Sequence, residues 1–219
     1  MDPYIFGVFA MAYLAVFIWG MLKHNKTASA VLFLVVLALI YDNGILALGH
    51  VIGEGELLET LSAARFWLHG IFTPTLIIFS YFVMREANIG FAQKTWVGAG
   101  FVVLMVSAWV VEFIVELKDL TLGVQESYGV VSYSSVEATS GPPPMILIVL
   151  LALLVATIFL AWKRKWWWVL VGTIIMTIGS AVPIDIGSDA ITNLFELILI
   201  VTLMHTAIRF SNETDSKVY

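Results

Sequence analysis

The sequence predicts an all-α membrane protein: a single bundle of seven transmembrane helices, with the N-terminus outside and the C-terminus in the cytoplasm. Three observations carry that expectation. Of 219 residues, 60% are hydrophobic and only 12% are charged, whereas a soluble domain carries about 25% charged residues. The apolar residues fall in blocks, each near the ~20 residues needed to cross the hydrocarbon core of a bilayer. The lysines and arginines collect in alternate connections, nine of the eleven on one side, and basic residues mark the cytoplasmic face.

The first expected span is Tyr4–Leu22. The preceding "MDPYIFG" lacks a basic n-region and a small-residue cleavage site, so this helix is expected to be retained. Lys23 and Lys26 follow on the inner side. The second span, Ala28–Ile52, begins with the uncharged run "TASAVLFLVVLALI" and then carries "YDNGILALGH", which holds Asp42, Asn43 and His50. Glu54, Glu56 and Glu59 form an acidic outer turn. The third span, Leu61–Met84, contains Arg65, His69 and Pro74. Proline lacks the backbone donor that a helix interior needs, so Pro74 is expected to kink this span and release a carbonyl near Gly70. After Arg85 and Lys94 comes the fourth span, Thr95–Leu117, which ends on Glu112 and Glu116.

The longest connection, about residues 118–144, lies outside. Its segment "YGVVSYSSVEA" alternates loosely, as a short hairpin would, and "GPPP" then stops regular structure. A connection of this length serves as a lid, a binding loop or a spacer. The fifth span, Met145–Trp162, ends at Lys163, Arg164 and Lys165, and the sixth is Trp166–Val182. Trp162 and Trp166–Trp168 flank that basic run as an aromatic belt at the inner interface. Gly44 and Gly49 in the second span, and "GTIIMTIGSA" in the sixth, permit helix backbones to approach closely. Pro183 ends the sixth span. The seventh, Ala190–Phe210, leads to Arg209 and Lys217 at the inner end.

The spans should form one domain over residues 1–219, and the net charge of -5 is modest. The absence of cysteine excludes disulfides, thiolate metal sites and cysteine nucleophiles. Nothing in the charge pattern suggests nucleic acid. A retinal Schiff base is excluded as well, because the seventh span has no lysine. The expected location is a plasma or inner membrane.

Functional candidates are the polar residues that a span should avoid. An ionisable group in a span costs about 2.5–3.5 kcal/mol on insertion scales and normally faces a bundle interior or a wet cavity. At ~1.5 Å rise per residue, Asp42 lies about 15 Å below the outer end of its helix, His69 about 12 Å, Glu196 about 10 Å and Glu112 about 7–8 Å. Residues spaced 3, 4 or 7 apart share a helix face. Arg65 with His69, Glu112 with Glu116, Asp189 with Asn193 and Glu196, and Asn43 with His50 therefore form stripes descending from the outer surface. Turned inward, they would line one cavity open to the outside, with Asp42, His69 and Glu196 at its floor. Asp42, His69, Glu196 and Glu112 are the candidate catalytic residues. Asn43, His50, Arg65, Asn193 and Asp189 are the candidate substrate contacts. Arg65 is expected to pair with Glu112 or Glu116.

Two chemistries suit an enzyme acting on a lipid or isoprenoid-like substrate. In the first, a divalent metal such as zinc, held by His50, His69 and either Asp42 or Glu196, activates water. The seven-helix lipid hydrolases that include alkaline ceramidases and adiponectin receptors are the natural comparison. They carry HxxxH in the last helix, where this chain has only His205, on the inner side. In the second, a buried carboxylic acid, Asp42 or Glu196, protonates an apolar substrate. Small membrane-bound terpene cyclases are similar in helix number and in relying on acids. The alternative class is a proton- or cation-coupled transporter or channel, since chains of acids and histidines mark such pathways. Against it stands an inner half with only His205. A seven-helix sensor or assembly protein is the third class, resembling the receptor and rhodopsin arrangement in helix count and N-terminal side alone. Membrane lipids are the expected partners in every case.

Overall fold

The computed structural model describes residues 1–23, 27–136, 142–181, 188 and 190–215. It is 81% helical. In lipid, a backbone can satisfy its polar groups only internally, so long apolar runs become helices. The helices are α1 (Asp2–Lys23), α2 (Thr27–Ile52), α3 (Glu56–Phe72), α4 (Thr75–Glu86), α5 (Thr95–Glu112), α6 (Pro144–Arg164), α7 (Trp168–Ala181) and α8 (Ile191–Asp215). A 3₁₀ turn, Gly90–Gln93, precedes α5, and a π turn, Phe113–Leu117, extends it.

Six helical stretches are long and apolar enough to cross a membrane, with α3 and α4 together making one of them over Glu56–Glu86. The chain is therefore a helical membrane protein. At the expected sixth span, the described part of the helix, α7, has 14 residues and is apolar; the expected end at Val182 and Pro183 lies outside the described residues.

Consecutive helices are neighbours around a closed ring that returns from α8 to α1, and α2, α4 and α8 meet at its centre. Leu32, Val36, Ile77, Leu203 and Met204 are fully buried there. The outward surface is apolar as well: Met11, Val103, Ile114, Leu151 and Ile158 are exposed. That is the pattern of a bundle solvated by lipid chains rather than water. Close approach between α7 and α8 rests on glycine, as "GTIIMTIGSA" suggested. A Cβ at Gly172 would collide with Thr202, and one at Gly179 with Phe195. Gly44 has open space beside it and plays no such part.

Pro74 interrupts the third span, although Thr73 and Pro74 keep right-handed helical dihedrals and the stretch stays one span. Pro74 has no N–H for Gly70, and α3 stops at Phe72. The side chains around the break satisfy its carbonyls. The Thr75 hydroxyl donates to the Phe72 carbonyl, and the Trp109 indole of α5 donates to the Ile71 carbonyl at 2.8 Å.

The expected short hairpin lies in the long connection of this otherwise helical chain, where two strands pair antiparallel: β1 (Leu122–Ser127) and β2 (Val130–Ser135). The hairpin begins earlier than the "YGVVSYSSVEA" alternation suggested, because that run supplies the turn and second strand only. Its two turn residues, Tyr128 and Gly129, have φ of 49° and 85°, the mirror-image turn that matches strand twist. β2 packs on α2 and α3. The Val131 carbonyl lies so close over Gly49 that no Cβ would fit. Gly49 thus serves helix-to-hairpin packing, not the helix-to-helix packing anticipated for it. Tyr133 fixes the hairpin twice: its N–H donates to the Ser62 hydroxyl at 3.3 Å, and its OH accepts from the Gly55 N–H at 3.1 Å. The connection is a cap seated on one end of the bundle.

Candidate functional site

The intramembrane polar residues gather under that cap, at the end of the bundle formed by the C-terminus of α2, the N-terminus of α3, the end of α5 and the beginnings of α6 and α8. Two adjoining cavities open there. One of about 250 Å³ is lined by Asp42, Arg65, Phe66, His69, Glu112, Glu116 and Pro143. The other, of about 320 Å³, is lined by Asp42, His69, Asn193 and Glu196 together with apolar groups from Leu39, Ile146, Met176 and Pro142. Asp42, His69 and Pro143 line both. The single pocket expected for Asp42, His69, Glu112 and Glu196 is thus two chambers. Asp42 and His69 stand between them, Glu112 lies in the first, and Glu196 in the second.

Arg65 binds a different carboxylate from the one expected. Its Nε donates to Asp42 Oδ1 at 2.8 Å, with the two side chains 13% and 22% exposed. The cause is the short turn between α2 and α3. Gly53 and Gly55 take φ of 77° and 147°, values that glycine adopts without strain. The turn folds α3 directly back along α2 and sets Arg65 beside Asp42. Glu112 and Glu116 come from α5, across the chamber.

That leaves Glu112 and Glu116 without a cationic partner among the described residues. Glu112 is 6% exposed. Gly70 makes room for it: a Cβ there would lie 3.0 Å from Glu112 Cγ. The π turn that begins at Phe113 is closed by a Lys118 N–H to Phe113 carbonyl bond of 2.8 Å. Its wider winding still brings Glu116 to the same chamber as Glu112. Such π turns recur at functional sites. Among the described residues, neither Glu112 nor Glu196 has a hydrogen-bond or ion-pair partner.

Other expectations shift. Asn43 is fully buried and lines neither chamber. Its Nδ2 donates to the Leu39 carbonyl at 3.0 Å, and its Oδ1 accepts from Asn193 Nδ2 at 3.1 Å. It ties α2 to α8 instead of contacting a substrate. Asn193 keeps one face on the second chamber. His50 is exposed and lines neither chamber. Gly49 makes the contact with the hairpin, and the next residue round the helix falls outside it. Asp189 lies outside the described residues.

The zinc arrangement is not built. Among the described residues, no group of three or more His, Asp or Glu side chains is arranged to hold a metal ion. His50 stands apart, and Asp42 is committed to Arg65.

Several residues that line the chambers or hold their lining had no sequence signal. Pro142 and Pro143 close over the chambers, where "GPPP" had marked only a break. Tyr13 of α1, fully buried, donates from its OH to the Asn193 carbonyl at 3.5 Å; a lone tyrosine in an apolar span gave no hint of it.

The opposite end of the bundle is filled differently. His205 packs against the rings of Trp166 and Trp19, with centroids 5.0 and 6.0 Å away. The Trp166 indole donates to the Thr206 hydroxyl at 2.9 Å. His205 is an aromatic packing element far from the acids.

No protein-family model, curated protein or solved structure matches this chain.

Proposed function

We propose that the chain is a membrane-embedded enzyme that works by carboxylic-acid catalysis on a lipid or isoprenoid-like substrate held in the two chambers. Glu196 is the acid. One observation carries the reading: Glu196 sits in a mainly apolar chamber without a cationic partner among the described residues, while Asp42, its nearest rival, is held by Arg65. A carboxylic acid positioned in such a chamber can deliver a proton to a substrate held beside it. Delivered to a carbon–carbon double bond, the proton forms a C–H bond and leaves a carbocation. Loss of a neighbouring proton back to the same carboxylate completes an isomerisation or cyclisation with no other reactant. His69 and Asp42 border the reacting region, and Leu39, Ile146 and Met176 accept the chain. Transport finds less support, because the half of the bundle below Asp42 is packed with buried Leu32, Val36, Ile77 and Leu203.

In this reading all seven apolar helices cross the membrane, α7 included, and the capped end faces outside. The basic connections at Lys23, Arg85, Lys94 and Lys163–Lys165 support that orientation.

The catalytic test works whichever lipid is the substrate. The purified protein is reconstituted with mixed polar lipids and isoprenoids in deuterated water, and the lipids are then examined by mass spectrometry. Deuterium should enter a lipid with the wild type and not with Glu196→Gln. Equal labelling by both proteins, or none by either, would remove the acid-catalysis reading. Orientation is tested separately. Because the chain has no cysteine, a cysteine placed at Tyr128 should react with a membrane-impermeant maleimide in intact cells, and one at Lys165 should not.

A further inference from the structure

The chamber formed by Arg65, His69, Glu112 and Glu116 has a charge balance that the proposed reaction does not use. Its charged groups come from four elements. Asp42 on α2 and Arg65 on α3 neutralise one another across 2.8 Å. Glu112 and Glu116, from α5 and the π turn, remain. The nearest lysine in sequence, Lys118, is exposed and lines a different, outward groove with Glu56, Glu59 and Asp119. His69 is the one further titratable group on this chamber. Glu112 is nine-tenths buried, faces the chamber and has no hydrogen-bond or ion-pair partner among the described residues. A buried carboxylate without a partner is costly, and the cost falls when a cation or a hydrogen-bond donor arrives with the ligand. A phosphate or carboxylate head group would add to the negative charge and is disfavoured.

We propose, on the reading of these cavities as a lipid site, that the Glu112–Glu116 chamber receives the ammonium head group of a single-chain amine-bearing lipid. The chain then passes Asp42 and His69 into the apolar chamber that holds Glu196. The two chambers share the wall made by Asp42, His69 and Pro143, so one elongated amphiphile can occupy both. Three N–H donors of an ammonium group match two facing carboxylates. Charge-assisted bonds of that kind are shorter and stronger than neutral ones.

The test compares three probes with the same chain: oleylamine, oleyl alcohol and oleate, titrated calorimetrically into the detergent-solubilised protein. The amine should bind at least about tenfold tighter than the alcohol, the size expected for one net charge-assisted bond, and oleate should bind weakest. Glu112→Gln and Glu116→Gln should each reduce the preference for the amine, and the double variant should abolish it, with all melting temperatures held near the wild-type value in the absence of probe. Equal binding of amine and alcohol would overturn the proposal, as would a preference that survives in the double variant. Glu196→Gln separates the two readings. If it binds oleylamine as the wild type does but no longer labels lipid with deuterium, both stand. If labelling depends on Glu196 while no amine preference exists, acid catalysis stands and the head-group assignment falls. An amine preference without Glu196-dependent labelling leaves a binding site and removes the catalysis.

Discussion

The two ends of the bundle solve the same problem in opposite ways. Both contain a histidine among apolar helices. At the tryptophan end, the exposed His205 lies against the rings of Trp19 and Trp166, Arg209 lies over the Trp166 ring at 5.4 Å, and Met204 and Phe33 crowd Gly20 so closely that a side chain there would collide. At the capped end, His69 borders two cavities together with four acids and an arginine. Polar groups at the first end lie against aromatic rings at the surface. At the second they are left facing space. Structural stability alone gains little from open chambers lined by costly groups, so on the proposed function the capped end is the working end and the tryptophan end the anchoring one.

The comparison can be broken at its strongest point first. Glu196→Gln should cut the rate of solvent-deuterium incorporation by about 10²–10⁴-fold, the usual contribution of positioned proton transfer, while the melting temperature stays the same or rises. A large loss of stability instead would make Glu196 a structural acid and erase the difference between the ends. Next comes the ion pair. Asp42→Asn leaves Arg65 partly buried without its partner and should destabilise by about 3 kcal/mol. The double variant Asp42→Asn with Arg65→Gln should recover part of that loss in thermal melts. Additive losses would show that the pair contributes nothing as a pair.

Smaller effects test the cap and the far end. Gly49→Ala drives a Cβ into the Val131 carbonyl and should cost about 1–3 kcal/mol, as overpacking does. It should also raise protease sensitivity at the hairpin, and unchanged proteolysis there would mean that the cap is not held by this contact. Trp166→Phe removes the bond to Thr206 and should cost about 1 kcal/mol with no change in deuterium labelling. A loss of labelling would show that the anchoring end communicates with the working end.

Much of the site was legible residue by residue. Ionisable groups in apolar runs announce themselves because lipid penalises them, and helical spacing correctly paired Arg65 with His69 and Glu112 with Glu116 on shared chambers. What spacing could not give was the partner across the bundle. The Arg65 side chain has Asp42 on one side and the α5 acids on the other, and the choice followed from how tightly the glycine turn folds α3 along α2. The same geometry removed His50 and turned Asn43 into a helix tie. Both share a helical face with the cavity residues in an ideal projection, but neighbouring elements decide which part of that face meets empty space.

The sequence by itself determined the class of solvent, because composition and block length dictate whether a chain can live in lipid. It determined nearly every helix, since a backbone in hydrocarbon has no other way to bond itself. It determined which residues are energetically out of place. The tertiary structure alone decided that these residues divide between two chambers, that Asp42 is neutralised while Glu112 and Glu196 have no ion-pair partner among the described residues, and that a hairpin and two prolines lie at that end. Those outcomes depend on distances between segments far apart in the chain, and such distances are set by side-chain packing and turn geometry, which local patterns do not encode.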